Sequence, residues 1–88
     1  MANHPSAAKR ARQALRKTAR NHRIRSRVKT STRAFRDAIT AGDKTASLTA
    51  LESAAKQLRR AASKGVLHKR TASRRVSRLM RAANKAGL

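Results

Sequence analysis

The sequence predicts an all-α protein, a three-helix bundle with a long N-terminal helix projecting beyond it. Three observations carry that expectation. Helix-breaking residues are confined to Pro5, Gly42, Gly65 and Gly87. The segments between them are rich in Ala, Arg, Lys, Leu and Gln, which favour helix. In the last two segments the apolar residues recur at three- and four-residue spacing, the period of one helix face. With 88 residues the chain makes a single domain, and one of that length buries only about 60 to 65% of the surface its unfolded form exposes.

The first helix is expected over residues 6–41. Pro5 suits a first helical position, with Asn3 or His4 capping, and no breaker follows until Gly42. Its larger apolar residues, Ile24, Val28, Phe35, Ala38 and Ile39, begin only halfway along; residues 6–23 offer Leu15 and alanines. At 1.5 Å rise per residue the helix would reach about 54 Å, of which the unpaired half is about 25 Å. The domain therefore divides into a basic projecting segment, 6–23, and a bundle, 24–86. Nothing in the chain is expected to bury the projecting half.

Gly42 can end the first helix in the left-handed conformation, and Asp43 can accept from the free amides of the next. The second helix is expected from about Lys44 to Lys64, with Leu48, Leu51, Ala55, Leu58 and Ala62 on its core face. Gly65 stops it. The third runs from about His68 to Ala86 and buries Ala72, Val76, Leu79, Met80 and Ala83.

Charge dominates the composition. Lys and Arg number 24 against three acids, Asp37, Asp43 and Glu52, giving a formal net charge of +21. Such self-repulsion opposes compaction and suggests that a polyanion completes the stability of the fold. On the first helix Lys9, Arg12, Arg16, Arg20, Arg23 and Arg27 fall within an arc of about 80°. Arg10, Lys17, Arg25, Lys29, Arg33 and Arg36 occupy other angles. On the third helix Arg70, Arg74, Arg78, Arg81 and Lys85 share an arc of about 80°, opposite its apolar face. Solvated faces normally mix signs; these two helices carry most of the cations and one acid, Asp37. Phosphate binding is therefore the expected role of Lys9, Arg10, Arg12, Arg16, Lys17, Arg20, Arg23 and Arg27, and of Lys69, Arg70, Arg74, Arg78 and Arg81. The acids read as local: Arg33 with Asp37 and Glu52 with Lys56 at i, i+4, and Asp43 as a cap.

Other function classes lack their chemistry. Without cysteine there is no disulfide framework or thiolate metal site. His4, His22 and His68 are too scattered for a helical metal site, so no metal or other cofactor is expected. Neither paired carboxylates nor a phosphate-cradling glycine loop is present, so no enzyme and no small-molecule substrate are expected. The longest stretches free of charged residues, Met1 to Ala8 and Thr45 to Leu51, fall far short of the roughly 20 apolar residues a membrane span needs. A removable transit peptide is disfavoured because the Arg-, Ser- and Ala-rich composition of the first third returns after Lys64. Phe35 is the only aromatic residue, so recognition through aromatic stacking platforms is excluded and reading must be by backbone and shape. A DNA-compacting protein and a membrane-active cationic peptide remain as rivals. The first would bind duplex DNA as well as folded RNA, and the second has alanine-rich faces poor for insertion.

Met1-Ala2-Asn3, Ser6-Ala7, Lys9-Arg10, Arg12-Gln13, Asn21, Arg25-Ser26 and Lys29-Thr30 stand in an order and spacing that resembles the start of the bacterial small-subunit ribosomal protein family S-twenty. Ala41-Gly42-Asp43 and Lys64-Gly65-Val66-Leu67-His68-Lys69, with Ala72, Arg74, Ser77 and Leu79 after them, resemble its remaining signatures. The likeness covers essentially the whole chain and departs at Pro5 and Ala8, where many members carry lysine. It implies a cytoplasmic ribosomal constituent that binds 16S ribosomal RNA directly and early in small-subunit assembly, with other small-subunit proteins as neighbours.

Overall fold

The computed structural model describes residues 5–88 as three helices, α1 (Pro5–Ala41), α2 (Lys44–Ser63) and α3 (Lys69–Lys85). The predicted first-helix caps, Asn3 and His4, lie outside the described residues. The all-α expectation and the over-long first helix are both met. The molecule measures 61 × 23 × 15 Å, and the 37 residues of α1, about 55 Å at 1.5 Å per residue, run nearly its full length.

Each helix ends in the same way. The amide of Gly42 donates to the Ile39 carbonyl and that of Asp43 to Ala38. Gly65 and Val66 repeat the pattern on Ala62 and Ala61, as do Gly87 and Leu88 on Asn84 and Ala83. This paired closure satisfies carbonyls that the helix itself leaves open, and it requires a left-handed residue at the turn. Gly42 and Gly65 supply it at φ +74°, a conformation that a side chain would strain. The residue after each glycine then packs or caps. Val66 is buried and Leu88 rests against the core, while Asp43 caps α2 by accepting from the Ala46 amide at 3.0 Å. His68 caps α3 in the same manner, its Nδ1 accepting from the Arg70 amide at 3.1 Å.

The core is small. Ile24, Val28 and Phe35 from α1 meet Ala54, Leu58 and Ala61 from α2. Val66, Leu79 and Ala83 close it from the linker and α3. α2 packs against both other helices, whereas α1 and α3 scarcely meet. Its small residues let the backbones approach closely, and the alanines there are almost fully buried. Among the described residues the one buried polar residue is Ser47, whose hydroxyl donates to the Asp43 carbonyl at 2.6 Å.

Two expected core residues lie outside it. Leu48 is 52% and Met80 41% exposed. In α2 the buried residues are Ser47, Ala54, Ala55, Leu58 and Ala61: Ala55 and Leu58 are buried as expected, and the face as a whole is turned by about 50° from the predicted one. The larger side chain of Leu48 suggested the core, but Leu48 lies about 80° from Leu58 around α2 and Ser47 only about 20°, and the serine hydroxyl is satisfied locally by the Asp43 carbonyl. Val66 and Leu88, beyond the helices, take up core positions instead. The i, i+4 pairs also fail to close. Asp37 and Glu52 are exposed and form no ion pair with Arg33 or Lys56, consistent with the small net gain of a solvated pair.

Leu58→Ala is expected to cost about 2 to 4 kcal/mol, a large part of the roughly 5 kcal/mol available to a domain this small. Leu48→Ala should stay within about 0.5 kcal/mol, as for other surface changes. Urea denaturation of the two variants side by side checks the placement of the face; equal losses would contradict it. Nothing stands within 4 Å of a Cβ built on Gly65, so Gly65→Ala should carry only the backbone penalty of about 1 to 2 kcal/mol. Thermal unfolding should then fall by roughly 4 to 15 °C for a domain of this size.

Candidate nucleic-acid interface

The cationic stripes rest on the helix geometry just described. From Ser6 to Arg20 every residue of α1 is exposed, Leu15 included, and the first buried position is Ile24. Helix there depends on propensity and on continuity with the packed half, because no apolar face is covered. Lys9, Arg10, Arg12, Arg16, Lys17, Arg20, Arg23 and Arg27 all lie on this solvated surface. Thr18 turns its hydroxyl back onto the Ala14 carbonyl at 2.9 Å, a local bond that leaves the cations untouched.

Arg20 stays exposed, as expected of the projecting segment, yet makes one contact with the rest of the chain. Its guanidinium donates at 3.4 Å to the carbonyl of Lys64, the residue that closes α2. A cation there suits the negative end of the helix, although a bond of this length in solvent is weak. The contact sets the α2–α3 turn beside the point where α1 leaves the bundle. Lys69 and Arg70, at the start of α3, therefore begin close to the root of the arm.

On α3 the cations Arg70, Arg74, Arg78 and Arg81 are exposed, while Ala72, Leu79 and Ala83 opposite them are buried. The predicted stripe is thus free to contact a ligand. The structure does not merge it with the stripe of α1: the residue 9–20 surface projects past the bundle, whereas α3 lies along it.

Between α1 and α3 the structure adds a feature that periodicity did not reveal. A groove of about 620 Å³ opens there, with Val28, Leu58, Leu67 and Leu79 at its base. Arg25, Lys29, Arg33 and Arg36 line one side, and Arg75 and Arg78 the other. Of these six, only Arg78 belongs to the predicted interface. The signal for the α1 rim was present, since the four residues share three-four spacing beside the core face; what was missing was the knowledge that α3 would stand across from them.

Among the described residues no cluster of His, Cys, Asp and Glu could hold a metal ion, and no helix is long and apolar enough to cross a membrane. What remains is a thin helical body whose exposed faces are basic on two of its three elements. That arrangement defines a class: small, all-helical, polycationic proteins that work by lying against a polyanion rather than by chemistry at a pocket.

Comparison with known sequences narrows the class. The pattern of the family described as Ribosomal protein S20 matches residues 2–84. The chain is 53% identical over 85 residues to a protein named Small ribosomal subunit protein bS20 from Anaeromyxobacter sp. (strain K), covering 97% of this chain and 93% of that one. It is 56% identical over 79 residues to the protein of the same name from Azorhizobium caulinodans, covering 90% of each. The chain belongs to the ribosomal protein S20 family, whose members are structural constituents of the ribosome and not enzymes.

The solvated half of α1 leads to a measurable expectation. An isolated helix of about 18 residues is marginal in water, and Arg12, Arg16 and Arg20 repel one another at i, i+4. In the free protein at low salt, amides of residues 6–19 should exchange far faster than those of 24–86, and should become protected when RNA is bound. Equal protection of both segments without RNA would show that the arm is held by packing of its own.

Proposed function

We propose that this constituent of the small ribosomal subunit binds 16S ribosomal RNA directly, through phosphates and shape, and so supports assembly of the subunit in the cytoplasm. The observation that carries this reading is the unpaired state of the charge. Both predicted stripes are exposed, and no carboxylate neutralises them within the described residues. A surface with that repulsion gains from condensing onto phosphates and releasing their counterions.

The division of labour follows from the shape. Residues 24–86 form the body and residues 6–23 the arm, whose cations point in nearly all directions around the helix. An arm of that kind suits a cleft between two folded RNA segments, where phosphates lie on several sides. Arg10, Lys17 and the stripe from Lys9 to Arg27 would serve the arm's contacts; Lys69, Arg70, Arg74, Arg78 and Arg81 would hold the body to a second segment. Guanidinium predominates over ammonium in both sets, and its planar fork suits phosphate oxygens and stacking on exposed bases. The relatives' names, which place them in the small ribosomal subunit, support the ribosomal RNA as the polyanion, and other small-subunit proteins as neighbours.

If about eight phosphates are neutralised, the logarithm of affinity for 16S ribosomal RNA should fall with the logarithm of salt at a slope of about −6 to −7. A slope shallower than about −3 would be too small for the stripes to act together. Changing Arg12, Arg16 and Arg23 together to Gln should weaken binding and flatten the slope by about 2 to 3, with the melting transition of the bundle retained. Competition with duplex DNA at fixed salt separates this reading from general DNA compaction: equal affinity for the two would rule the specific role out.

A further inference from the structure

We propose that the groove between α1 and α3 is a separate RNA subsite, which takes a single-stranded segment with its phosphates on the basic rims and an unpaired base over the apolar floor. The proposal rests on the chain's being an RNA-binding protein, and adds to that reading a second surface and a second mode.

The rims face each other without compensation. Arg25, Lys29, Arg33 and Arg36 stand opposite Arg75 and Arg78, and Asp37 is the only acid among the lining residues. Asp37 forms no ion pair with any of them. Like charges on both banks oppose closure, and α1 and α3 indeed each pack on α2 while scarcely touching. An anionic occupant would turn this repulsion into attraction on both sides at once. The groove is distinct from the arm's stripe, because the two sets of cations lie about 140° apart around α1.

Three features favour a single RNA strand. First, the α1 rim repeats every three or four residues, about 5 to 6 Å along the axis, a spacing comparable to that of successive phosphates on one strand. Second, a duplex is too broad to enter a groove cut into a body only 23 by 15 Å across. Third, the base of the groove is aliphatic: Leu67 is half-buried and supplies its accessible apolar surface, with the buried core residues Val28, Leu58 and Leu79 packed beneath and beside it. An unpaired base laid on it would bury apolar surface, and a rim guanidinium could stack on the other face. This replaces an aromatic platform, which the chain lacks, by a sandwich of leucine and arginine. A second opening continues the groove past Phe35, Ile39 and Ala82 toward Lys85, so a strand would have a path out.

The test uses the full chain with labelled leucine and valine methyl groups, observed by NMR. The probes are a single-stranded RNA octamer, an abasic oligomer of equal length, an RNA duplex and polyglutamate. The single strand should shift the Leu67 and Leu79 methyls by ring current, and the abasic oligomer and the duplex should not. Arg25, Arg33 and Arg75 changed together to Gln should lose at least about tenfold more affinity for the single strand than the charge-matched change of Arg12, Arg16 and Arg23, a difference within the range of one stacked base. Equal losses in the two variants, methyls that stay still with the single strand, or equal shifts with the abasic oligomer would each overturn the proposal. Tighter binding by polyglutamate at the same methyls would assign the groove to an acidic peptide instead. If 16S ribosomal RNA binds with its steep salt dependence while the single strand leaves the groove unperturbed, the groove alone is refuted.

Discussion

The contact on which the rest of the structure depends is the packing of α1 and α3 onto the neutral face of α2. α2 is the least charged of the three helices, and its alanines and Leu58 are the surface that the other two can reach without bringing guanidinium groups inside. Each partner offers a narrow apolar strip and keeps its cations outward. The large side chains of that core are few, Phe35 and Leu58 being the largest that are fully buried. So thin a core leaves little margin, and the three closing turns matter accordingly: each satisfies helix-end carbonyls, and two of them add a side chain to the core through Val66 and Leu88.

The charge explains where the packing stops. α1 and α3 would complete a closed bundle by meeting along their length, but both edges that face the gap are basic. The bundle is therefore joined along two seams and open along the third. The same repulsion governs the arm. Beyond Ile24 toward the N-terminus α1 has no apolar side chain larger than the exposed Leu15, and from Ser6 to Arg20 every residue is exposed. In both places like charge is left uncompensated among the described residues, which is the repulsion that the proposed binding to ribosomal RNA would relieve.

Helix count, helix order, the turns at Gly42 and Gly65 and the long solvated arm were legible in the sequence, because each follows from local rules: propensity, capping chemistry and the absence of apolar residues from 6–23. The cap at Asp43 follows the same logic, whereas the sequence placed His68 only at the start of the third helix and the structure showed that it caps it. The buried face of α2 was legible only approximately. A periodic pattern containing both Leu48 and Ser47 does not say which of them meets a neighbour, and in the structure the serine is buried and the leucine exposed.

By itself, then, the sequence determined the helical class, the basic stripes of α1 and α3 and the family resemblance, since composition and i, i+4 geometry are properties of each helix alone. The tertiary structure decided what depends on the distance between helices: the exposure of Leu48 and Met80, the inclusion of Val66 and Leu88 in the core, the reach of Arg20 to the Lys64 carbonyl, and the groove that sets Arg25, Lys29, Arg33 and Arg36 across from Arg75 and Arg78. The physical reason is that a single helix specifies the angle of every side chain about its own axis but not which angles a second helix will cover. That choice is made by the packing of all three segments at once, where α2 supplies the shared face and like charge keeps α1 and α3 apart.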